Sequence, residues 1–120
     1  MIRIFTSKTQ SFGEKGEKEA VVFLMKQGFR IVDRNISNKF GEIDIVAKKS
    51  STTYFFEVKT GKKGGSISPA ENLHQSKIHK FLKSVEYYCF IKDIKDFRVQ
   101  GIVLLFSEDK IESIETFDLV

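Results

Sequence analysis

Two acidic residues interrupt apolar segments that otherwise have the composition of β-strands. Asp44 lies within Glu42–Ala47, and Glu57 lies within Thr53–Lys59. A charge in such a segment is unfavourable unless a partner compensates it. Two carboxylates at one place repel each other and retain a proton, unless a divalent cation neutralises them. The pair is therefore a candidate metal site, with salt bridges to lysines near the strand ends as the alternative.

The spacing of Asp44 and Glu57 fits opposite positions in a β-hairpin. Paired residues in an antiparallel hairpin have a constant index sum, and this pair centres the turn between Ser50 and Ser51. Opposed residues share one sheet face, with Cα atoms about 4.5–5.5 Å apart. Lys59 follows Glu57 by two residues, so it shares that face, roughly 6–7 Å further along. A lysine there could stabilise charge on a phosphorane; a solvated strand-end lysine is the alternative.

A third acidic residue, Glu17, lies in a predicted helix over 14–27. It precedes Ala20, Val21 and Leu24 by three, four and seven residues, so it shares their inward stripe. A carboxylate near a helix N-terminus is favoured by the helix dipole. We therefore expect Glu17 to reach the same metal, directly or through water, with a capping or surface glutamate as the alternative.

The elements that would position these residues follow from periodicity and turn signals. The first helix is predicted to end at Gly28, and apolar spacing predicts a second helix over 76–91. The glycine- and lysine-rich segment 61–68 is predicted to be a mobile loop. Five strands are predicted, over 29–35, 42–47, 53–59, 97–106 and 110–117. The order α-β-β-β-α-β-β indicates an α/β fold with a central mixed sheet of about five strands flanked by helices.

Composition indicates a small globular protein. The 120 residues, 41% of them apolar, can form one compact core, so we expect a single domain over 1–120. The 20 basic and 16 acidic residues give a net charge of +4, which favours polyanionic partners. Cys89, the only cysteine, excludes an intramolecular disulfide and favours a reducing cytosol. No stretch approaches the roughly 18 apolar residues of a membrane span, so we expect a cytoplasmic protein without a membrane partner.

Five short motifs lie between Gly13 and Glu71, within a similar region that runs from about residue 13 to residue 103. They are Gly13-x-x-Gly16-Glu17-x-x-Ala20, Gly28-Phe29, Gly41-Glu42-Ile43-Asp44, Phe56-Glu57-Val58-Lys59-Thr60 and Ser68-Pro69-Ala70-Glu71. In these motifs and their order the sequence resembles the YraN-like bacterial family, which is largely uncharacterised. That family is similar to a branch of the PD-(D/E)XK nuclease superfamily, and the acid and lysine positions resemble those of archaeal Holliday junction resolvases. The resemblance implies a restriction-endonuclease-like fold.

The same resemblance implies a Mg²⁺- or Mn²⁺-dependent endonuclease that hydrolyses phosphodiester bonds of DNA, with branched or structured DNA as one candidate substrate. Asp44 and Glu57 would be the metal ligands, together with the Val58 carbonyl. Lys59 would be the catalytic lysine, and Glu17 the acid of the first helix. Cutting two strands needs two sites, which a homodimer would supply. A non-catalytic nucleic-acid-binding module with the same fold is the main alternative, and a subunit that needs a protein partner is another.

Further lysines follow the Glu57 strand or lie on the second helix, where they could contact a phosphate backbone. An ordinary solvated basic face is the alternative interpretation. These lysines are Lys62, Lys63, Lys77, Lys80 and Lys83. The aromatic residues mostly follow core periodicity, so they are not expected to act as base-stacking platforms.

Overall fold

A computed structural model describes the backbone of residues 2–64 and 75–120 and the side chains of residues 13–64 and 77–120. The elements in these ranges follow the predicted order α-β-β-β-α-β-β. In chain order they are α1 (Ile2–Lys26), β1 (Arg30–Asn38), β2 (Gly41–Lys49), β3 (Thr52–Lys62), α2 (Gln75–Lys92), β4 (Phe97–Ser107) and β5 (Lys110–Asp118). Neither of these helices is long and apolar enough to cross a membrane.

The strands form one five-stranded sheet in which spatial order follows chain order, so that β3 is central. Strands β3 and β4 are parallel, and the other neighbouring pairs are antiparallel. Parallel neighbours need a crossover connection, and α2 lies in it. The prediction of an α/β fold with a mixed sheet of about five strands flanked by helices is confirmed, in the arrangement expected of a restriction-endonuclease-like fold.

Each sheet face carries one helix and one hydrophobic cluster. Ala20 and Leu24 of α1 pack with Phe56 on one face, whereas Val85 of α2 packs with Phe55 on the other. Adjacent phenylalanines of β3 point to opposite faces because side chains alternate along a strand. Both are fully buried, as a central strand covered on both faces requires.

Helix α1 begins at Ile2, much earlier than the predicted start at Glu14. The sequence before Gly13 contains no glycine or proline, so nothing there interrupts a helix. The predicted end is confirmed: Gly28 has a φ of 96°, and the Phe29 amide donates to the Leu24 carbonyl. This is the left-handed glycine cap that commonly ends helices.

Two turns are tighter than predicted. The polar linker between β2 and β3 is reduced to Ser50 and Ser51, with Ser50 at a φ of 57°. The turn between β1 and β2 lies at Lys39 and Phe40, whereas the predicted strands left residues 36–41 between them. Strand β3 continues through the start of the predicted loop 61–68, whose residues from 65 onward lie outside the described ranges.

Candidate active site

The predicted register of the β2–β3 hairpin is confirmed. Lys49 pairs with Thr52 and Ile45 with Phe56, the same index sum as Asp44 with Glu57. Pairing ends at Ile45. Beyond it β2 continues beside β1, and β3 continues beside β4 as far as Lys62. Asp44 and Glu57 therefore lie where β2 and β3 separate, next to an opening between the strands.

The Asp44 side chain spans this opening. Its Oδ2 accepts a hydrogen bond of 2.7 Å from the Val58 amide. The carboxylate thus replaces the backbone acceptor that a continued ladder would have provided. The N–H and C=O groups of one strand residue point to the same side of the strand. The Val58 carbonyl therefore also faces the opening, beside the two acids.

Both carboxyl groups resist ionisation. Burial raises the pKa of Asp44 to about 6, and the charges of Glu17 and Glu42 add to this, against the Val58 hydrogen bond and the charge of Lys59. Burial and the charge of Asp44 raise the pKa of Glu57 to about 7. Without a cation, the pair therefore still holds a proton near neutral pH, as two close carboxylates should.

Two lysines oppose this acidic pair. The pKa of Lys59 is lowered by a hydrogen bond with Lys77, by burial and by the Lys77 charge, whereas Glu57 and Asp44 act in the opposite direction. Lys77, at the start of α2, also lowers the pKa of Glu57. Lys77 was predicted as a phosphate-contacting residue, and the structure brings it to the acidic pair itself. An anion between the two ammonium groups would relieve their repulsion.

Glu17 approaches from the opposite helix. The preceding residue, Gly16, is buried against Thr60 so closely that a Cβ atom there would overlap the threonine hydroxyl. This contact seats α1 on β3 and leaves Glu17 half-buried, where its charge acts on Asp44. The expectation that Glu17 lies near a helix N-terminus is wrong, because α1 begins at Ile2. Helix packing, and not the dipole, holds this carboxylate near the pair.

The donor set fits a partly hydrated divalent cation. Among the described residues, no three or more carboxylate, imidazole or thiol side chains are grouped so that they could hold a metal ion. The site offers two carboxylates and the Val58 carbonyl. Mg²⁺ commonly binds proteins through one or two carboxylates and retains several waters, so this set suffices. Glu17 is not grouped with Asp44 and Glu57 closely enough to be a third ligand. It would therefore contact a bound cation through water.

The other lysines predicted to contact phosphates are spread over the surface. Lys63 forms an ion pair with Glu112 of β5, with Nζ and Oε1 2.6 Å apart. Lys62 is exposed at the end of β3. Lys80 and Lys83 are exposed on α2.

Glu42 and the Gly101–Phe117 contact also lie beside the site and were not among the predicted residues. Glu42 raises the pKa of both Asp44 and Glu57; it precedes Asp44 by two residues, and strand alternation could have identified it. Gly101 of β4 pairs with Glu57, and the Phe117 ring lies against Gly101. The Phe117 ring thus covers the Gly101 backbone on the strand next to Glu57, which only the β4–β5 register reveals.

Fold and site together define an α/β protein with an acidic pair and two lysines at the point where two strands of a mixed sheet separate. Comparison with known proteins gives the family. The model of the uncharacterised protein family UPF0102 matches residues 16–120. A UPF0102 protein of Campylobacter fetus is 36% identical over 108 residues, covering 90% of this chain and 94% of that protein. One of Persephonella marina is 34% identical over 108 residues, covering 89% and 93%. The chain belongs to the UPF0102 family, which confirms the predicted uncharacterised YraN-like relationship.

Proposed function

We propose that this protein is a metal-dependent endonuclease of the PD-(D/E)XK type that hydrolyses phosphodiester bonds in DNA. The observation that carries the proposal is the half-buried acidic pair, Asp44 and Glu57, beside Lys59 and Lys77. Two carboxylates held together with raised pKa values destabilise the folded chain unless a cation binds. Such perturbed groups, gathered from several elements, are typical of functional sites.

Each residue at the opening has a definite role in this proposal. The carboxylates of Asp44 and Glu57 and the Val58 carbonyl would hold Mg²⁺ or Mn²⁺. The chemistry that a bound divalent cation supplies is polarisation of the phosphate and activation of water. Lys59 would hold the attacking water and stabilise the charge that develops on the phosphate. Its pKa is lowered from the ordinary lysine value, which favours a part in proton transfer.

Glu17 and Lys77 have supporting roles at opposite sides of the acidic pair. The Glu17 carboxylate would orient water beside Asp44, on the α1 side. Lys77 would bind a phosphate oxygen on the α2 side, where its ammonium group lies near both Lys59 and Glu57. The phosphate would therefore enter between the end of β3 and the start of α2.

The proposal is tested by incubating labelled single strand, duplex, flap, four-way junction and RNA with Mg²⁺ or Mn²⁺. We expect cleavage of at least one DNA substrate, abolished by EDTA. Asp44→Asn and Glu57→Gln should each lower the rate by roughly a hundredfold or more. Glu115→Gln is the matched control, because Glu115 is an exposed glutamate on β5.

A non-catalytic nucleic-acid-binding module is the competing function, and the exposed lysines of α2 favour it. Two carboxylates facing phosphate would weaken such a module, since like charges repel. If no substrate is cleaved and nucleic-acid binding persists in EDTA, the nuclease proposal is overturned and the binding module is supported. Cleavage that survives in both acid variants would place the catalytic site elsewhere.

A further inference from the structure

A cluster of aromatic and basic side chains lies at the turn between β1 and β2. The rings of Phe40 and Tyr87 meet edge to face, with centroids 5.6 Å apart. Lys39 Nζ lies 5.3 Å from the Phe40 centroid and 5.4 Å from the Tyr87 centroid. Lys83 Nζ lies 6.0 Å from the Phe40 centroid. These four residues form what we call the aromatic–lysine patch.

The turn that carries Phe40 is fixed on α2. Asn38 Nδ2 donates to the Ser84 carbonyl at 3.2 Å. A Cβ atom on Gly41 would lie 2.9 Å from Ser84 Oγ, and Gly41 has a φ of 154°. Only glycine permits both this backbone conformation and this close approach. Phe40 is therefore held in a defined place although it is 36% exposed.

One side of α2 connects this patch with the acidic pair. Lys77, Lys80, Lys83 and Tyr87 follow one another at spacings of three, three and four residues, so they lie along one side of the helix, beside the buried Ser84. Lys77 acts on Glu57, and the Lys80 carbonyl lies near Gly41. The distance along the helix from Lys77 to Tyr87 is about 15 Å. A chain of a few nucleotides could extend along this face from the patch to the site.

The patch and the adjoining turn of α2 carry three exposed lysines. Lys39, Lys80 and Lys83 are exposed, and none of them takes part in an ion pair within the described part of the chain. The contacts between the Lys39 and Lys83 ammonium groups and the rings are weak where water is present. The ammonium groups of these flexible side chains can therefore move from the rings to a phosphate. The exposed face of the ring is then free to stack on a base.

We propose that the aromatic–lysine patch binds a single strand of nucleic acid, with an unpaired base stacked on Phe40 and phosphates held by Lys39 and Lys83. Sites that bind single strands commonly combine an exposed aromatic ring, on which a base stacks, with neighbouring cations that contact the phosphates. The inference rests on the proposed function and specifies its substrate class as nucleic acid with unpaired nucleotides beside the cut. For Phe40, this proposal replaces the expectation that the aromatic residues do not act as base-stacking platforms.

The test measures binding in EDTA, so that cleavage plays no part. Fluorescence anisotropy compares a labelled single-stranded DNA with the duplex of the same length. Phe40→Ala should weaken binding of the single strand roughly tenfold and leave duplex binding nearly unchanged. Phe90→Ala is the matched control, because Phe90 is 82% exposed on α2 and lines a hollow with Glu86 and Asp93. It should have no effect on either ligand.

Further variants distinguish the effect of base stacking from effects of folding and of charge. Phe40→Leu retains apolar contact with Tyr87 but has no aromatic face, so it should weaken single-strand binding as Phe40→Ala does. Lys39→Ala with Lys83→Ala should reduce the salt dependence of single-strand binding by about 1.4 in log–log slope, at roughly 0.7 per lost phosphate contact. Lys26→Ala with Lys110→Ala changes net charge equally, away from the patch, and should leave the slope nearly unchanged.

The inference and the proposed function fail in different ways. Equal effects of Phe40→Ala and Phe90→Ala, or full binding by Phe40→Leu, would overturn the patch even if the protein cleaves DNA. A selective Phe40 effect without cleavage of any substrate would support the patch and overturn the nuclease. Equal loss of single-strand and duplex binding in Phe40→Ala would also overturn the stacking role.

Discussion

Glu57 destabilises the folded chain to a degree that depends on pH. Its pKa rises from 4.5 to about 7 on folding, mainly through burial and then through Asp44. Below about pH 4.5 the group is protonated in both states, and the penalty is absent. Between the two pKa values only the folded state keeps the proton, so stability falls as pH rises. Above about pH 7 the penalty is complete.

Replacing Glu57 with glutamine should therefore stabilise the metal-free protein at high pH. In EDTA at pH 8, we expect Glu57→Gln to raise the free energy of unfolding by roughly 1–3 kcal/mol, allowing for partial solvent screening. At pH 4 the variant and the wild type should be equal. Urea denaturation at both pH values measures this. Glu115→Gln should show no such pH dependence, and a Glu57→Gln protein less stable than wild type at pH 8 would contradict the argument.

The positions of Asp44, Glu57 and Lys59 could be predicted because strand alternation and one hairpin turn determine them. The register in the structure has the predicted index sum. The exposure of Phe40 could not be predicted, since it depends on where the β1–β2 turn meets α2. The approach of Lys77 to Glu57 depends on the same long-range packing. Local patterns thus reveal residues on one hairpin better than residues brought together from distant elements.

At the scale of elements, the seating of α1 on β3 determines whether Glu17 reaches the acidic pair. Gly16 contacts Thr60, and no larger residue fits between the helix and the strand. Gly16 allows α1 to approach β3 closely, and Glu17 is the next residue. The packing at Gly16 therefore determines the position of the Glu17 carboxylate. Gly13, one turn earlier, has no atom within 4 Å of the position that a Cβ would occupy.

Gly16→Ala and Gly13→Ala should have opposite effects. Alanine favours helix over glycine by about 1 kcal/mol, so Gly13→Ala should stabilise the protein slightly. Gly16→Ala should instead destabilise it by about 1–3 kcal/mol, because the methyl group overlaps Thr60. Cleavage should also fall, since Glu17 moves away from Asp44. Thermal unfolding and initial rates measure both effects, and Thr60→Ala combined with Gly16→Ala should recover part of the loss. Equal stabilisation by both single variants would show that α1 is not seated through Gly16.

The elements themselves were largely predictable, and their ends were not. Periodicity gave the helices and strands in the right order, and Gly28 marked the end of α1 correctly. The start of α1 was missed because residues 2–12 have no helical stripe as clear as that of residues 20–24. The end of β3 was missed because Gly61 and Lys62 resemble a loop, although β4 pairs with both.

At the scale of the molecule, the site is assembled from three layers: the two helices and the sheet between them. Glu17 comes from α1 on one face of the sheet, Lys77 from α2 on the other, and the acidic pair from the sheet between them. The order of the strands in the sheet determines where these side chains come together, and local sequence patterns do not reveal that order. Family membership adds that the arrangement belongs to UPF0102 proteins, whereas the reaction must be argued from the site.

Because the acidic pair comes together only in the folded chain, a cation that binds it should stabilise the whole molecule. At a free Mg²⁺ or Mn²⁺ concentration about 100 times the Kd, the gain is about 2.7 kcal/mol. For a chain of this size we expect Tm to rise by roughly 10 °C at pH 8 relative to EDTA. At pH 5 the rise should be much smaller, because protons on Asp44 and Glu57 compete with the metal. Differential scanning calorimetry measures the shift.

Matched variants decide whether this stabilisation arises at the acidic pair. Asp44→Asn should abolish the Tm rise, since the amide lacks the charge that attracts the cation. Glu115→Gln should retain it, because that acid is exposed on β5. A Tm rise of equal size in Asp44→Asn and wild type would place the bound cation at another part of the molecule. A rise that is lost only in Asp44→Asn and Glu57→Gln would link metal binding to the separation of β2 and β3, where the sheet and both helices contribute side chains.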